Sequence, residues 1–371
     1  MKSRKNMIEN PLIFKTKQGI PKGTSCIDIF PDAVKELFFI ENPHTRKNDP
    51  ATKEKLKAFV GNTKLKRIWI YYPWLRLVMG MPEEDIYFQL RTARNRNLIT
   101  PEEQKNYRKC VVGIAGLSVG SSVLSVLVMC GGPKTIKIAD PDTVDITNLN
   151  RIRAKLYDVG KNKADIAARE VWELDPFTNI HAYREGLQKN NINAFMAGKP
   201  RLDIFIDEMD NINLKIKSRL ICRDLGIPVL MATDNGDGVI VDVERFDLER
   251  KRPIFHGQVT PEEYNQPDIS GPKSIIMAIK IIDPAFFTER QQDSILHIGK
   301  TLSGVAQIGT AATIAGSALA FAVRQIANKK KLPSGRYTIR CEDVFIDGYN
   351  SLQQKKQRTI LTKKFTEAFE L

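Results

Sequence analysis

A chain of 371 residues, 42% hydrophobic and 27% charged, is long enough for two or three domains, and its composition excludes a disordered, collagen-like or disulfide-scaffold protein. The net charge of +14 lies in the flanks: +10 over residues 1–110, −1 over 111–328 and +5 over 329–371. Basic flanks can steer RNA, an acidic protein or a membrane surface, yet no basic motif interleaved with aromatics marks a nucleic-acid face.

From the N-terminus, residues 1–98 mix turn-rich stretches with short apolar ones. The most structured of these is KRIWIYYPWLRLVMGMP (66–82), a β-favouring aromatic run broken at Pro73. It reads as an accessory layer on a main domain. At Lys109 the pattern changes. KCVVGIA suits a strand buried on both faces, GLSVGSS a tight turn, VLSVLVMCGG a helix ended by glycines, and TIKIAD a second strand ending in an acid. KADIAAREVWELDP follows as an amphipathic helix, RLDIFIDEMD as a strand with acids at its end, NLKIKSRLICRDLG as a helix and GIPVLMAT as a strand. Strands alternating with helices predict an α/β fold, Rossmann-like, with three αβα layers and a mainly parallel sheet, plus the N-terminal accessory segment. GVIVDVERFD adds a strand pair, residues 251–273 a long irregular connection, and GRYTIRCEDVF a short final strand.

Residues 304–323 form an uncharged run of 20, but its Ala, Gly, Thr and Ser content suits close packing, so a buried helix is expected and no membrane span. The five cysteines (Cys26, Cys110, Cys130, Cys222, Cys341) form no CxxC pair and no apolar leader opens the chain, which points to a reducing, cytoplasmic setting. The divisions expected are an accessory region over 1–90, the α/β domain over 91–345 and a basic tail over 346–371.

The chemistry concentrates after the first strand. Gly113, Gly116 and Gly120 lie in the strand-to-helix turn, where backbone N–H groups and a helix N-terminus can meet a phosphate. Ser118 stands where a dinucleotide fingerprint would place a second glycine. Asp140 ends the second strand, where an acid can hold ribose hydroxyls; this much fits an NAD enzyme equally. The following D140-P-D142-T-V-D-I-T-N148-L-N-R151, then Lys163, then D207-E-M-D210-N211, would supply polar and cationic contacts to a triphosphate and an oxygen ligand for magnesium at Asp210. Alternatively Arg151 and Lys163 are surface charges paired with Asp142 or Asp158, and spacing alone leaves both readings open. His256 is a candidate acid or base in the long connection, though a lone loop histidine is more often simply hydrogen-bonded. The D234-N-G-D-G238 turn could face substrate too, but Asn-Gly and Asp-Gly are ordinary hairpin signals.

At these residues the chain resembles the ThiF/MoeB/HesA superfamily, relatives of ubiquitin-activating enzymes. The matching pattern is the glycine turn at Gly116, Ser118 and Gly120, then Asp140, Asp142, Asn148, Arg151, Lys163 and Asp210–Asn211, with R91-T-A-R94-N upstream. The strings YYPW, RTARNRNLIT, GLSVG, DVERFDLE and PIFHG resemble most closely one bacterial subgroup, often fused to a nitroreductase-like domain that is absent from this sequence. The resemblance implies ATP-dependent adenylation of a carboxylate, often the C-terminal glycine of a small β-grasp, sulfur-carrier-type protein. It implies Mg2+ on Asp210, no zinc, and a homodimer in which Arg94 reaches the partner's triphosphate. Arg94, Arg151, Lys163 and Asp210 would then carry catalysis, and Gly116, Ser118, Gly120, Asp140, Asp142, Asn148 and Asn211 would bind nucleotide. Partners would be such a carrier or a nitroreductase-like protein. A tRNA-modifying dehydratase of the same superfamily and a non-catalytic nucleotide-binding scaffold are the competing readings; RNA is a partner only under the former. No cysteine stands out as a thioester or persulfide site.

Overall fold

The structure, a computed structural model, describes residues 9–266 and 269–371. It divides into two compact units, one of Met1–Gln104 with Trp172–Thr178 and one of Lys105–Val171 with Asn179–Leu371.

In the first unit, strands β1 (Leu12–Phe14), β2 (Ser25–Asp28), β3 (Arg67–Tyr72) and β4 (Leu77–Pro82) form a sheet in the order β1-β3-β4-β2. The predicted break at Pro73 is a single 3-10 turn that folds β3 and β4 into an antiparallel hairpin, with Arg76 left-handed at φ 48°. Ile68, Trp69, Ile70, Tyr71 and Tyr72 are all buried, as a strand covered on both faces requires. Three helices, α1 (Phe30–Glu41), α2 (Pro50–Gly61) and α3 (Glu84–Thr92), correct the reading of this region as turns and short apolar stretches. The helical signal is present: Phe30, Val34, Leu37 and Phe38 recur on one face, and Asp49 accepts the Ala51 N–H to cap α2 before Pro50. Residues 172–178 join this unit through Tyr72, whose hydroxyl donates to the Trp172 carbonyl (3.1 Å), and through the Arg91–Asp175 ion pair (2.9 Å).

The second unit alternates as the sequence predicts. It runs from the second half of α4 (Pro101–Lys109) through β5 (Val111–Ala115), α5 (Val119–Met129), β6 (Thr135–Ala139), α6 (Lys163–Leu174, whose last three residues fall in the first unit), β7 (Asn179–Tyr183), α7 (Ile192–Ala197), β8 (Ile204–Asp207), α8 (Ile212–Leu225), β9 (Val229–Asn235) and β10 (Gly238–Glu244). Then come α9 (Pro261–Tyr264), α10 (Pro272–Ile282), α11 (Glu289–Leu296), α12 (Gly309–Ala327), β11 (Gly335–Ile339), α13 (Glu342–Phe345) and α14 (Leu352–Ala368). The sheet order is β11-β10-β9-β8-β5-β6-β7, parallel from β9 to β7, with β10 and β11 antiparallel at one edge. The chain winds outward from β5 through β6 to β7, then restarts at β8 and winds the other way. The order therefore reverses between β5 and β8, the crevice where doubly wound folds bind ligands.

Helix α12 packs on α5, β9 and β10 on one face, while α8 and α10 cover the other with Phe195, Phe205, Val229, Met231 and Phe255. Although α12 is long and apolar enough to cross a membrane, its buried side (Ala311, Ala315, Leu319, Val323) faces the sheet and α5. Other differences are local. Helix α5 starts at Val119, so the turn shrinks to three residues; GVIVDVERFD is one strand; the 251–273 connection runs into α10; and the basic tail is helical over α14, where Phe365 packs on Phe287.

A candidate nucleotide site at the strand reversal

Strand β5 delivers the chain to Gly116, whose φ of +88° and closeness to the Glu208 carbonyl oxygen (2.2 Å from a Cβ built there) admit only glycine. Its N–H donates to the Ala139 carbonyl at 2.9 Å, drawing the turn against the end of β6. Two residues on, Ser118 begins α5 without capping it by its side chain. A helix N-terminus uncapped by a side chain, at the mouth of the crevice, favours an anion.

Asp140, 3% exposed beyond β6, ties this turn to the next loop: one oxygen accepts the Leu117 N–H (2.6 Å), the other the Asp142 N–H (2.8 Å). Burial pushes its pKa up, against the pull of the two N–H groups and Lys163. Both oxygens are thus engaged with backbone, each keeping a second lone pair for a ribose hydroxyl. The side chain of Asn148 is also turned to local order, its oxygen accepting the Asp145 N–H (3.1 Å) in the turn Ile146–Asn148.

The cations lie around the same turn. Arg151 donates from Nε to Ser118 Oγ (3.1 Å) and from Nη1 to the Thr147 carbonyl (3.1 Å) and Asn150 Oδ1 (2.9 Å). Among the described residues its Nη2 has no hydrogen-bond partner. Lys163 opens α6, only 9% exposed, and its Nζ meets Asp142 Oδ2 at 3.0 Å; the Asp142 side chain is 64% exposed. The pairing of Lys163 with Asp142 is thus realised, whereas Arg151 has no carboxylate bonded to it.

The D207-E-M-D210-N211 string splits by role. Asp207 is fully buried, held below the ordinary carboxylate range by Lys215 and Arg219. Asp210 is exposed just past β8 and meets no hydrogen-bonding or ionic partner among the described residues, and Asn211 caps α8 by accepting the Leu214 N–H (3.0 Å). Gly116, Ser118, Gly120, Asp140, Asp142, Asn148, Arg151 and Lys163 thus gather in one bonded neighbourhood, with Asp210 and Asn211 at the end of the adjoining strand. Arg94 belongs to the first unit, exposed in the turn Ala93–Asn95.

His256 lies in the 251–273 connection. Its Nε2 meets Asp242 Oδ1 (2.8 Å) and its Nδ1 meets Arg252 (3.0 Å), so both ring nitrogens are committed, on the sheet face that carries Arg219. It is the hydrogen-bonded histidine, not an acid or base in the crevice. Cys222 is buried and inert, its thiol pushed up by desolvation. Two further acids received no role from the sequence. Glu208 accepts the Ala232 N–H (2.8 Å) and is pushed well above the carboxylate range by burial. Asp234, 5% exposed near the end of β9, is pushed to about 6 by burial despite Arg151 and Gln307 nearby. The signal for Asp234 was an acid in phase with Leu230 and Ala232 on one strand face, masked by the Asn-Gly that follows.

A glycine turn feeding a helix N-terminus at the reversal point of a doubly wound sheet defines a nucleotide-binding α/β protein. The chain belongs to the ThiF family, whose profile matches residues 92–359. It is 35% identical over 272 residues to an uncharacterised Mycobacterium tuberculosis protein, covering 73% of this chain and 37% of that one. It is 36% identical over 141 residues to a probable molybdopterin-synthase adenylyltransferase of Porphyra purpurea (36% of this chain, 34% of the other). To the tRNA threonylcarbamoyladenosine dehydratase of Bacillus subtilis it is 32% identical over 148 residues (40% and 56%). The chain thus spans from about a third to just over half the length of these relatives.

Proposed function

We propose that this chain adenylates a carboxylate. The observation that carries the reading is Arg151, held over the glycine turn by Ser118 with one guanidinium nitrogen still unbonded, at a helix N-terminus that no side chain caps. ATP phosphates laid on that turn would meet backbone N–H groups, Arg151 and Lys163 together. Lys163 would exchange its exposed partner Asp142 for phosphate oxygen. The substrate carboxylate attacks the α-phosphorus, the bond to the β-phosphate oxygen breaks, and an acyl-adenylate and pyrophosphate result. The carboxylate is already ionised at neutral pH, so the protein's work is positioning and charge neutralisation rather than proton transfer.

Magnesium fits the residues present: Asp210 offers a free, exposed carboxylate, and Mg2+ is commonly held by one or two carboxylates plus substrate phosphates. Bound there, the ion would neutralise charge on the phosphates. The substrate we favour is the C-terminus of a small β-grasp carrier. The dehydratase reading, in which the carboxylate sits on a tRNA nucleoside, is supported by the Bacillus subtilis relative and the basic flanks.

ATP–pyrophosphate exchange with candidate carriers and labelled pyrophosphate tests the reading. Lys163→Ala and Asp210→Ala are expected to lower exchange by about a hundredfold or more. Exchange that both variants leave intact would overturn the mechanism.

A further inference from the structure

Asp234 is a buried carboxylate whose two oxygens, both sealed from solvent, meet no hydrogen-bond partner of full geometry among the described residues. Gln307, through a loose side-chain contact, and Arg151, through its charge, favour its anion against burial. A buried acceptor left unmet is costly, and such a cost persists in a fold where a ligand relieves it.

Its position says which ligand. Strand β8 ends at Asp207, which the register sets level with Met231, so β9 runs on for four more residues, paired there with β10 alone, and carries Asp234 past the end of β8. The alternation of β9 places Leu230, Ala232 and Asp234 on the face that carries α12, since Val229 and Met231 point into the core beneath α8. Glu208 is on that same face, packed near Gly120. The loop before α12 closes over the neighbourhood of Arg151, with the Gln307 carbonyl accepting from Asn150 (2.8 Å) and Thr310 donating to Asp237 (2.7 Å). Within electrostatic reach of Arg151, a donor only, Asp234 supplies an acceptor only.

We propose that Asp234 is a specificity-determining residue for the acyl substrate: its carboxylate accepts an N–H carried on the carbon next to the carboxylate being activated. The proposal rests on the adenylation reading and narrows it. An acid bearing an α-amide is selected, because its N–H donates to Asp234. A hydrocarbon acid of the same shape would leave the Asp234 oxygens unmet, the situation in which polar sites discriminate most strongly.

The test uses two acids of one shape, N-acetylglycine and 4-oxopentanoate, which has CH2 where the first has N–H, each driving ATP–pyrophosphate exchange. The wild type is expected to prefer N-acetylglycine by at least about tenfold in kcat/KM. Asp234→Ala is expected to bring the two within about twofold, chiefly through KM for N-acetylglycine, and the isosteric Asp234→Asn, with one acceptor left, to fall between. Binding of Mg·ATP, measured by equilibrium dialysis, should be the same in all three proteins. No preference in the wild type, no exchange with either acid, or a preference that survives in both variants overturns the role of Asp234. Failure of the wild type to bind Mg·ATP, or exchange indifferent to Lys163→Ala, overturns the adenylation reading itself.

Discussion

At the scale of single residues, a functional acid should cost stability, and Asp234 allows that cost to be measured. Its pKa of about 6 in the folded protein stands above the 3.8 of an ordinary aspartate. Between those values the folded chain holds a proton that the unfolded chain has lost, so stability falls as pH rises from about 4 to 6 and stays lower above that. The groups acting on it are Arg151 and Gln307, which favour the anion against burial; Glu208, on the same face, is itself pushed well above the ordinary carboxylate range by burial. Replacing Asp234 by Asn removes the penalty. The variant should be more stable than the wild type by about 3 kcal/mol at pH 7, an advantage that vanishes near pH 4. Urea unfolding at the two pH values checks this, and equal stabilities at pH 7 would mean that the carboxylate is not desolvated. A variant that gains stability while losing selection among acids would show the usual opposition between a strained site and a robust fold.

At the scale of elements, one buried ionic cluster ties three of them together. Arg219 of α8, with no exposed surface, bonds to Asp207 at the end of β8 and to Glu244 of β10 (2.6 Å), while Glu244 also accepts the Phe255 N–H (2.7 Å). The Phe255 ring lies 4.2 Å from the guanidinium, which explains how Phe255 and His256 hold positive φ values of 51° and 57° on this turn. Arg219→Met would leave Glu244 without its buried cation and Asp207 with Lys215 alone, and should cost about 3–5 kcal/mol by denaturant unfolding; Arg219→Lys should recover little, since a single ammonium cannot fork to both acids. None of this was legible beforehand. The partners are 12 and 25 residues apart, and a motif reader sees in Asp207 only the start of a magnesium signature. What the sequence did disclose follows the same logic. β5, β6, β8 and β9 are mainly apolar because the sheet buries both their faces, interrupted by Lys137 within β6 and by polar residues at the ends of β8 and β9, and the Asp140–Arg151 cluster is visible because its residues are close in sequence. β7 reads NIHAY, an edge strand with no such run, and α7 is a short helix whose end is held by Lys137 donating to the carbonyls of Ala194, Phe195 and Gly198 (2.8–3.3 Å). The turn at Asp234 read as a hairpin in preference to a substrate-facing element because an acid before Asn-Gly looks like turn chemistry until its burial is known.

At the scale of the whole molecule, two questions turn on features outside the crevice. The first is the charge in the flanks. A dehydratase-like enzyme should bind bulk tRNA with an affinity that falls steeply with salt, and absence of binding at low salt would remove that alternative. The second is Arg94, which lies in the first unit while the other proposed catalytic residues lie in the second. The superfamily pattern makes it act on the triphosphate of a partner subunit, and mixed dimers separate that from action within one chain. Arg94→Ala and Lys163→Ala would each be inactive alone. In a dimer of one of each, the crevice with intact Lys163 faces a partner with intact Arg94, so one of its two sites is whole. Equal mixing should then restore about a quarter of wild-type exchange, because half of the dimers formed are mixed and each carries one working site. If Arg94 serves its own chain, every site lacks one of the two cations and mixing restores nothing. Exchange near a quarter, lost again when the two variants are kept apart, is therefore the expected result, and no recovery on mixing would confine Arg94 to its own subunit or remove it from the site altogether.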